Sequence, residues 1–379
     1  MSEHLTALIA PDAYKGSLRS DAVAEAMSSG LRDGGWAGAI DECLVADGGD
    51  GTLTALSKSG PGVMDATPVR GPYGEEVLAE WWRCDDGTAV IELARCSGLA
   101  LTSHRAPLDA SSYGTGQLIA HVLSTGVSEI LLACGGSATV DGGLGLLAAL
   151  GVRFFARGGP LAQPRARDLI DLTHLEMPNH LHELPVLVLT DVTNPLLGER
   201  GAAAVFGPQK GASPGDVTEL ERGLSHFAHI VASHSERSID GLVGGGAAGG
   251  VAAGLAGVFG CPLRSGFDEI ADRVGLESRL SESHVVLTGE GQIDCQSWSG
   301  KTISGVSSRA SVLGIMTWAF GGRIDSTASS GRPSMLELVE VTPRDMPFAT
   351  AVERAPELLK ASVSLTTPQI AASCRRAER

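Results

Sequence analysis

The apolar run at 5–10, the polar and glycine-containing 11–18 and the amphipathic 21–32 predict a strand, a loop and a helix, with Ser20 as helix cap. A second strand is expected at 43–46, running into Asp47-Gly48-Gly49-Asp50-Gly51, with a helix after Thr52. That rhythm belongs to a parallel α/β domain. Between 63 and 93 it gives way to short strands separated by Gly71-Pro72-Tyr73-Gly74 and Asp85-Asp86-Gly87, both turn clusters. The α/β pattern returns with a helix from Gln117, a strand at 129–133, a glycine loop and a helix at 144–150. A strand at 185–189 and a helix near 217–229 follow. From Ser283 the opening style resumes: a strand at 284–287, a loop at 288–300, a helix at 301–312, strands at 315–319 and 336–341, and a helix at 351–363.

The economical architecture is α/β with two domains. A discontinuous Rossmann-like parallel-sheet domain takes 1–62 and 283–379, a mixed α/β domain of 63–282 is inserted in it, and a ligand cleft is expected between them. The stretch 241–263 carries no charge and is long enough to span a bilayer. It is mostly Gly and Ala, which contribute little insertion energy, so a loop and a packed helix are expected there and no membrane span.

Composition narrows the chemistry. With 43% hydrophobic and 19% charged residues the chain can bury cores. A net charge of −15 argues against nucleic acid and anionic membrane surfaces as partners. Seven cysteines with no C-x-x-C pair fit neither a disulfide framework nor a zinc pattern, and residues 1–15 lack the form of a signal peptide. A cytoplasmic setting is therefore expected. Among the 29 basic residues only Lys15, Lys58, Lys210, Lys301 and Lys360 are lysines, so a retained lysine marks a place where arginine would not serve. Glycine, at 50 residues, is roughly twice its ordinary usage of about 7% and clusters in short loops after apolar runs.

Five loops share one design, an apolar strand followed by a glycine turn and a carboxylate. They are Pro11-Asp12-Ala13-Tyr14-Lys15-Gly16-Ser17; Asp47 to Thr52; Gly135-Gly136-Ser137-Ala138-Thr139-Val140-Asp141; Asp191-Val192-Thr193-Asn194-Pro195, leading to Phe206-Gly207-Pro208-Gln209-Lys210-Gly211; and Thr288-Gly289-Glu290-Gly291-Gln292-Ile293-Asp294, ending at Gly300-Lys301. Glycine turns at helix starts offer converging N–H groups to an anion, and neighbouring carboxylates call for a divalent cation between them and a phosphate. Lysine adds a compact charge, so the combination points to phosphoryl transfer. Neither G-x-G-x-x-G after the first strand nor a complete G-x-x-x-x-G-K-[ST] occurs, and the histidines show no metal-binding spacing.

At these loops the chain resembles the bacterial type I glycerate kinases over almost its whole length. The resemblance rests on Ala10-Pro11-Asp12 with Lys15, Asp47-Gly48-Gly49, Gly114-Thr115-Gly116, Gly135 to Thr139 with Asp141-Gly142-Gly143, Asp191 to Leu196, Phe206 to Ala212, and Thr288 to Gly291 with Asp294 and Gly300-Lys301. It implies ATP- and Mg²⁺-dependent phosphorylation of D-glycerate, usually to 2-phosphoglycerate, with 3-phosphoglycerate as the alternative. Under that resemblance Gly48, Gly49, Gly135, Gly136, Ser137, Gly289, Gly291 and Lys301 hold the nucleotide, and Asp47, Glu290 and Asp294 lie near the metal. Asp191, beside Asn194, orients or deprotonates the attacking hydroxyl, and Lys15 and Lys210 neutralise substrate and phosphoryl charge. Tyr113 and Val140 stand where relatives often carry Arg and Asn. That keeps open a kinase for a related small hydroxy acid, or a non-catalytic glycerate or nucleotide sensor. A homodimer is also left open, and a hydroxy-acid dehydrogenase ranks last for want of its fingerprint.

Overall fold

A computed structural model of the protein describes residues 4–178, 183–298, 302–329 and 331–377. The described strands are β1 (Thr6–Ile9), β2 (Ala39–Glu42), β3 (Gly62–Arg70), β4 (Glu76–Cys84), β5 (Thr88–Glu92), β6 (Glu129–Ala133), β7 (Arg153–Ala156), β8 (Gly159–Leu161), β9 (Leu172–Glu176), β10 (Val186–Leu189), β11 (Leu263–Arg264), β12 (Val285–Ile293), β13 (Met316–Ile324) and β14 (Leu336–Glu340). The chain divides into two compact units, one formed by 1–47, 54–60 and 266–379, the other by 48–53 and 61–265. The second junction lies at Ser265/Gly266 rather than near 283, because the helices Gly266–Arg273 and Leu276–Ser281 pack on the helix Thr302–Val312 of the first unit.

The first unit is built on a parallel sheet of order β14-β13-β12-β1-β2, with Leu8 facing Val286 and Asp41 across its neighbours. The chain leaves β1 toward β2 on one side and leaves β12 toward β13 and β14 on the other. Right-handed crossovers then put the helices Ser20–Asp33 and Thr302–Val312 on opposite faces. The loops after β1 and β12 part from each other at the carboxyl edge of the sheet, the place where open α/β sheets form their ligand crevice.

Two expectations for this unit change. The second strand is Ala39–Glu42, not 43–46. Its A-I-D-E sequence suits an exposed sheet edge, whereas Cys43 to Ala46 are apolar because they are buried beyond the strand, Cys43 N donating to Ile9 O at 2.9 Å. The segment Thr288 to Ile293 also continues the strand instead of forming a loop, paired in register from Thr288↔Ala319 to Ile293↔Ile324.

The helix Ser20–Asp33 lies against the helix Ala355–Ala377 at Gly30, where a Cβ would come within 2.6 Å of Lys360 O and 2.7 Å of Val363 Cβ. Alanine would gain up to about 1 kcal/mol of helix propensity, but forcing the helices apart costs about 1–3 kcal/mol, and the clash is with backbone. Gly30→Ala is therefore expected to lower the urea midpoint despite the better helix former; a raised midpoint would show that the helices separate freely.

The second unit carries a mixed sheet of order β11-β10-β6-β5-β4-β3, in which β5, β6, β10 and β11 are parallel and β3-β4-β5 form an antiparallel meander. A small antiparallel sheet, β8-β7-β9, lies beside it in the chain. Trp81 is buried in the main core, its indole N–H donating to Thr67 Oγ1 at 3.1 Å. The uncharged stretch contains the buried helix Ala247–Phe259, and no helix among the described residues is long and apolar enough to cross a membrane.

Candidate active site

In the first unit the β1 loop folds back on itself through Tyr14 N donating to Leu18 O at 2.8 Å, and Tyr14 Oη anchors it on Phe320 O at 2.7 Å. This places Asp12, only 4% exposed, at the carboxyl end of β1. Its carboxylate accepts from Ala13 N at 2.7 Å and from Thr302 Oγ1 at 2.9 Å. Burial, and then the charge of Asp47, raise the Asp12 pKa well above the usual carboxylate range, against the pull of Lys15 and the two hydrogen bonds. Lys15 Nζ lies 3.1 Å from Asp47 Oδ2. At the end of β12, Ser297 donates to Glu290 and also accepts from Asp294 N at 3.2 Å.

These loops open on a cavity of about 480 Å³. Asp12, Lys15, Glu290, Gly291, Asp294 and Arg323 are among its lining residues. Gly289 is buried inside β12, where its missing side chain admits Phe320 O and Tyr14 Oη. Lys301 lies outside the described residues.

In the second unit, β5, β6 and β10 run parallel as neighbours, so their C-terminal residues share one edge. Glu92 ends β5 and is 3% exposed; it accepts from Gly51 N at 3.0 Å and Leu53 N at 2.9 Å, and Arg95 Nε donates to it at 3.1 Å. That seats Gly48 and Gly49 against the loop after β6: a Cβ on Gly135 would come within 2.4 Å of Gly49 Cα, so the approach requires glycine. Gly136 is exposed at the tip of this loop, and Ser137 beside it is buried.

Lys210 approaches the same loop from behind. It is 3% exposed, and its Nζ donates to Ser137 Oγ and to Thr139 O, each at 2.7 Å. Burial lowers its pKa to about 7, with Asp141 opposing. Asp141 is fully buried and accepts from Ser112 N and Oγ, both at 2.8 Å, and from Gly143 N and Gly145 N, both at 3.2 Å. Burial raises its pKa, and these four bonds resist the rise. After β10, Asp191 is half-buried, while the Asn194 side-chain amide donates to Arg200 O at 2.7 Å and Asn194 O accepts from Gly246 N at 2.9 Å.

The residues singled out in sequence thus form two groups. Lys15, Asp47, Glu290, Gly289, Gly291 and Asp294 belong to the first unit; Gly48, Gly49, Gly135, Gly136, Ser137, Asp191, Asn194 and Lys210 belong to the second. Asp12, Thr302 and Glu92 were not among them. Their signals were the Asp-x-x-Lys spacing at Asp12 and a carboxylate closing the otherwise apolar Ala89-Val90-Ile91-Glu92.

One feature fits a bound polar group: buried Thr139 Oγ1, at the end of the Gly135–Thr139 loop, has no hydrogen-bond partner among the described residues. Those residues contain no cluster of three or more His, Cys, Asp or Glu able to form a metal cage. Mg²⁺ needs only one or two carboxylates when phosphate oxygens and water complete its shell.

The glycerate kinase family model matches residues 7–370. Glycerate 2-kinase of Escherichia coli K12 is 39% identical over 309 residues, covering 80% of this chain and 81% of that protein. Glycerate kinase of Bacillus subtilis 168 is 35% identical over 378 residues, 98% of each chain. A crystal structure from Salmonella typhimurium LT2, assigned as glycerate kinase 2, matches with a TM-score of 0.82 at 35% identity, covering 98% of this chain and 99% of that one.

Proposed function

Since the chain belongs to the glycerate kinase family and is a kinase, we propose that it transfers the γ-phosphoryl group of ATP to D-glycerate, giving 2-phosphoglycerate and ADP in the cytoplasm. The observation that carries this reading is the Lys15–Asp47 pair beside buried Asp12 at the switch point of the first unit's parallel sheet. A lysine among carboxylates at that edge suits a metal-bound polyphosphate better than a bare anion, which the carboxylates would repel.

Asp47 and Glu290 are the carboxylates we assign to Mg²⁺, which when bound offsets charge on the phosphate oxygens. Lys15 adds positive charge beside the phosphates, and Gly136 and Ser137 offer backbone N–H groups to an anion. Asp191 accepts the proton that the glycerate hydroxyl loses as its oxygen bonds to phosphorus and the bond to the ADP oxygen breaks. Lys210 and Asn194, both committed to neighbouring loop atoms, act by holding those loops in shape.

The test is ADP release with D-glycerate and ATP, followed by phosphorus NMR of the product, in which the 2- and 3-phosphates differ in proton coupling. Glycerate-independent ADP release, or none, would sink the reading. Asp191→Asn is expected to lower kcat at least about hundredfold with KM for ATP little changed, since the base acts only on the acceptor. Near-normal kcat in a folded variant would remove Asp191 from this role.

A further inference from the structure

The first unit's cavity is lined by two kinds of side chain: Asp12, Lys15, Glu290, Asp294 and Arg323 are charged, while Val341, Phe348, Ala351, Val352 and Ala355 are apolar. A three-carbon hydroxy acid has no apolar body to set against the second kind, and its volume is a small part of 480 Å³. A nucleotide has both an aromatic base and a charged tail, and pockets of roughly 300–1,000 Å³ are the usual size for ligands of its class.

Phe348 is the telling residue. It is 81% exposed, an unusual position for a phenyl ring, and it opens the helix Phe348–Glu353 at the rim of the cavity. The loop before it is tied to β13 by Arg323 Nη2 donating to Met346 O at 3.2 Å, so the ring stands on an anchored segment. The cavity also sits at the carboxyl ends of β1 and β12, where the strand order reverses.

We infer that this cavity binds the nucleoside end of the nucleotide, the base stacking on Phe348 beside Val341 and Val352 and the phosphates directed toward Lys15. The inference rests on the reading that ATP is the phosphoryl donor. It assigns base recognition to residues in the C-terminal part of the chain, Val341 to Val352, which lie outside the five glycine loops.

Calorimetric titration of ADP and of inorganic tripolyphosphate into the wild-type protein and Phe348→Ala tests it. Base–aromatic stacking is lost in the variant, so ADP should bind about tenfold more weakly while tripolyphosphate binding is unchanged, and Phe348→Trp should restore ADP affinity. The ring's exposure means that the fold does not depend on it, which circular dichroism verifies. Equal ADP affinity in wild type and Phe348→Ala, or an equal loss for both ligands, would overturn the inference. If glycerate is phosphorylated but ADP affinity ignores Phe348, only the inference fails. If ADP binding depends on Phe348 but no glycerate is phosphorylated, the inference stands and the glycerate reading fails.

Discussion

Replacing Lys210 by methionine is expected to cut turnover about hundredfold and to flatten the protein's stability between pH 7 and pH 10. The amine holds Ser137 Oγ and the Thr139 carbonyl, so its loss lets the Gly135–Asp141 loop shift, and displacements of about 1 Å near a reacting group cost rates of that order. The pH dependence follows from burial. Folded Lys210 loses its proton near pH 7, whereas in the unfolded chain it does so near its ordinary 10.5. Between those values the unfolded chain holds a proton that the folded chain lacks, so wild-type stability gains up to about 1.4 kcal/mol per pH unit as pH rises. The methionine variant lacks that gain and leaves two buried oxygens unpaired, a cost of about 1–3 kcal/mol. Urea midpoints of the two proteins should therefore lie furthest apart near pH 10 and converge toward pH 7. Parallel curves would mean that Lys210 remains charged in the fold. Arginine, which cannot shed its proton, should be the worse substitute, at about 3–5 kcal/mol.

This role of Lys210 was not legible in the sequence, although the residue itself was. Its rarity and its F-G-P-Q-K-G setting marked it, but as a charge facing substrate and phosphate and not as one enclosed in the fold. Only the approach of that turn to Thr139, 71 residues earlier, shows that the amine is enclosed. The apolar runs at β6 and β10 were found nearly to the residue because burial on both faces leaves an unbroken hydrophobic signal. The same signal misled at 43–46, where burial comes without a strand, while the true β2 is polar because it lies at a sheet edge. Glycines misled at 288–293. Taken as loop formers, they sit in β12, where Phe320 O and Tyr14 Oη occupy the space that a side chain on Gly289 would need. Asp12 was visible as the carboxylate of the first glycine loop, but no role of its own followed from that position. Its burial, and its bond to Thr302 from a helix 290 residues later, are what set it apart.

Asp12→Asn is expected to move activity and stability in opposite directions. The ionised carboxylate is disfavoured in the fold by burial and by Asp47, so its pKa is raised there. A raised folded pKa means that the side chain's contribution to stability is fully present below the unfolded value of 3.8 and is lost as pH rises through the folded value. At pH 8 wild type therefore bears a penalty that an uncharged amide escapes. Asparagine can keep the neighbouring bonds, its oxygen accepting from Ala13 N and its amide donating to a rotated Thr302 hydroxyl. The variant should gain about 1–3 kcal/mol in urea unfolding at pH 8, with the gain vanishing below about pH 4. Activity should fall at least about hundredfold, because a strained charge kept at a sheet's switch point is retained for the reaction and not for the fold. Such trade-offs are a mark of functional sites. A variant that loses stability together with activity would make Asp12 an anchor of the β1 loop. One that keeps normal turnover would place the chemistry away from this edge of the sheet.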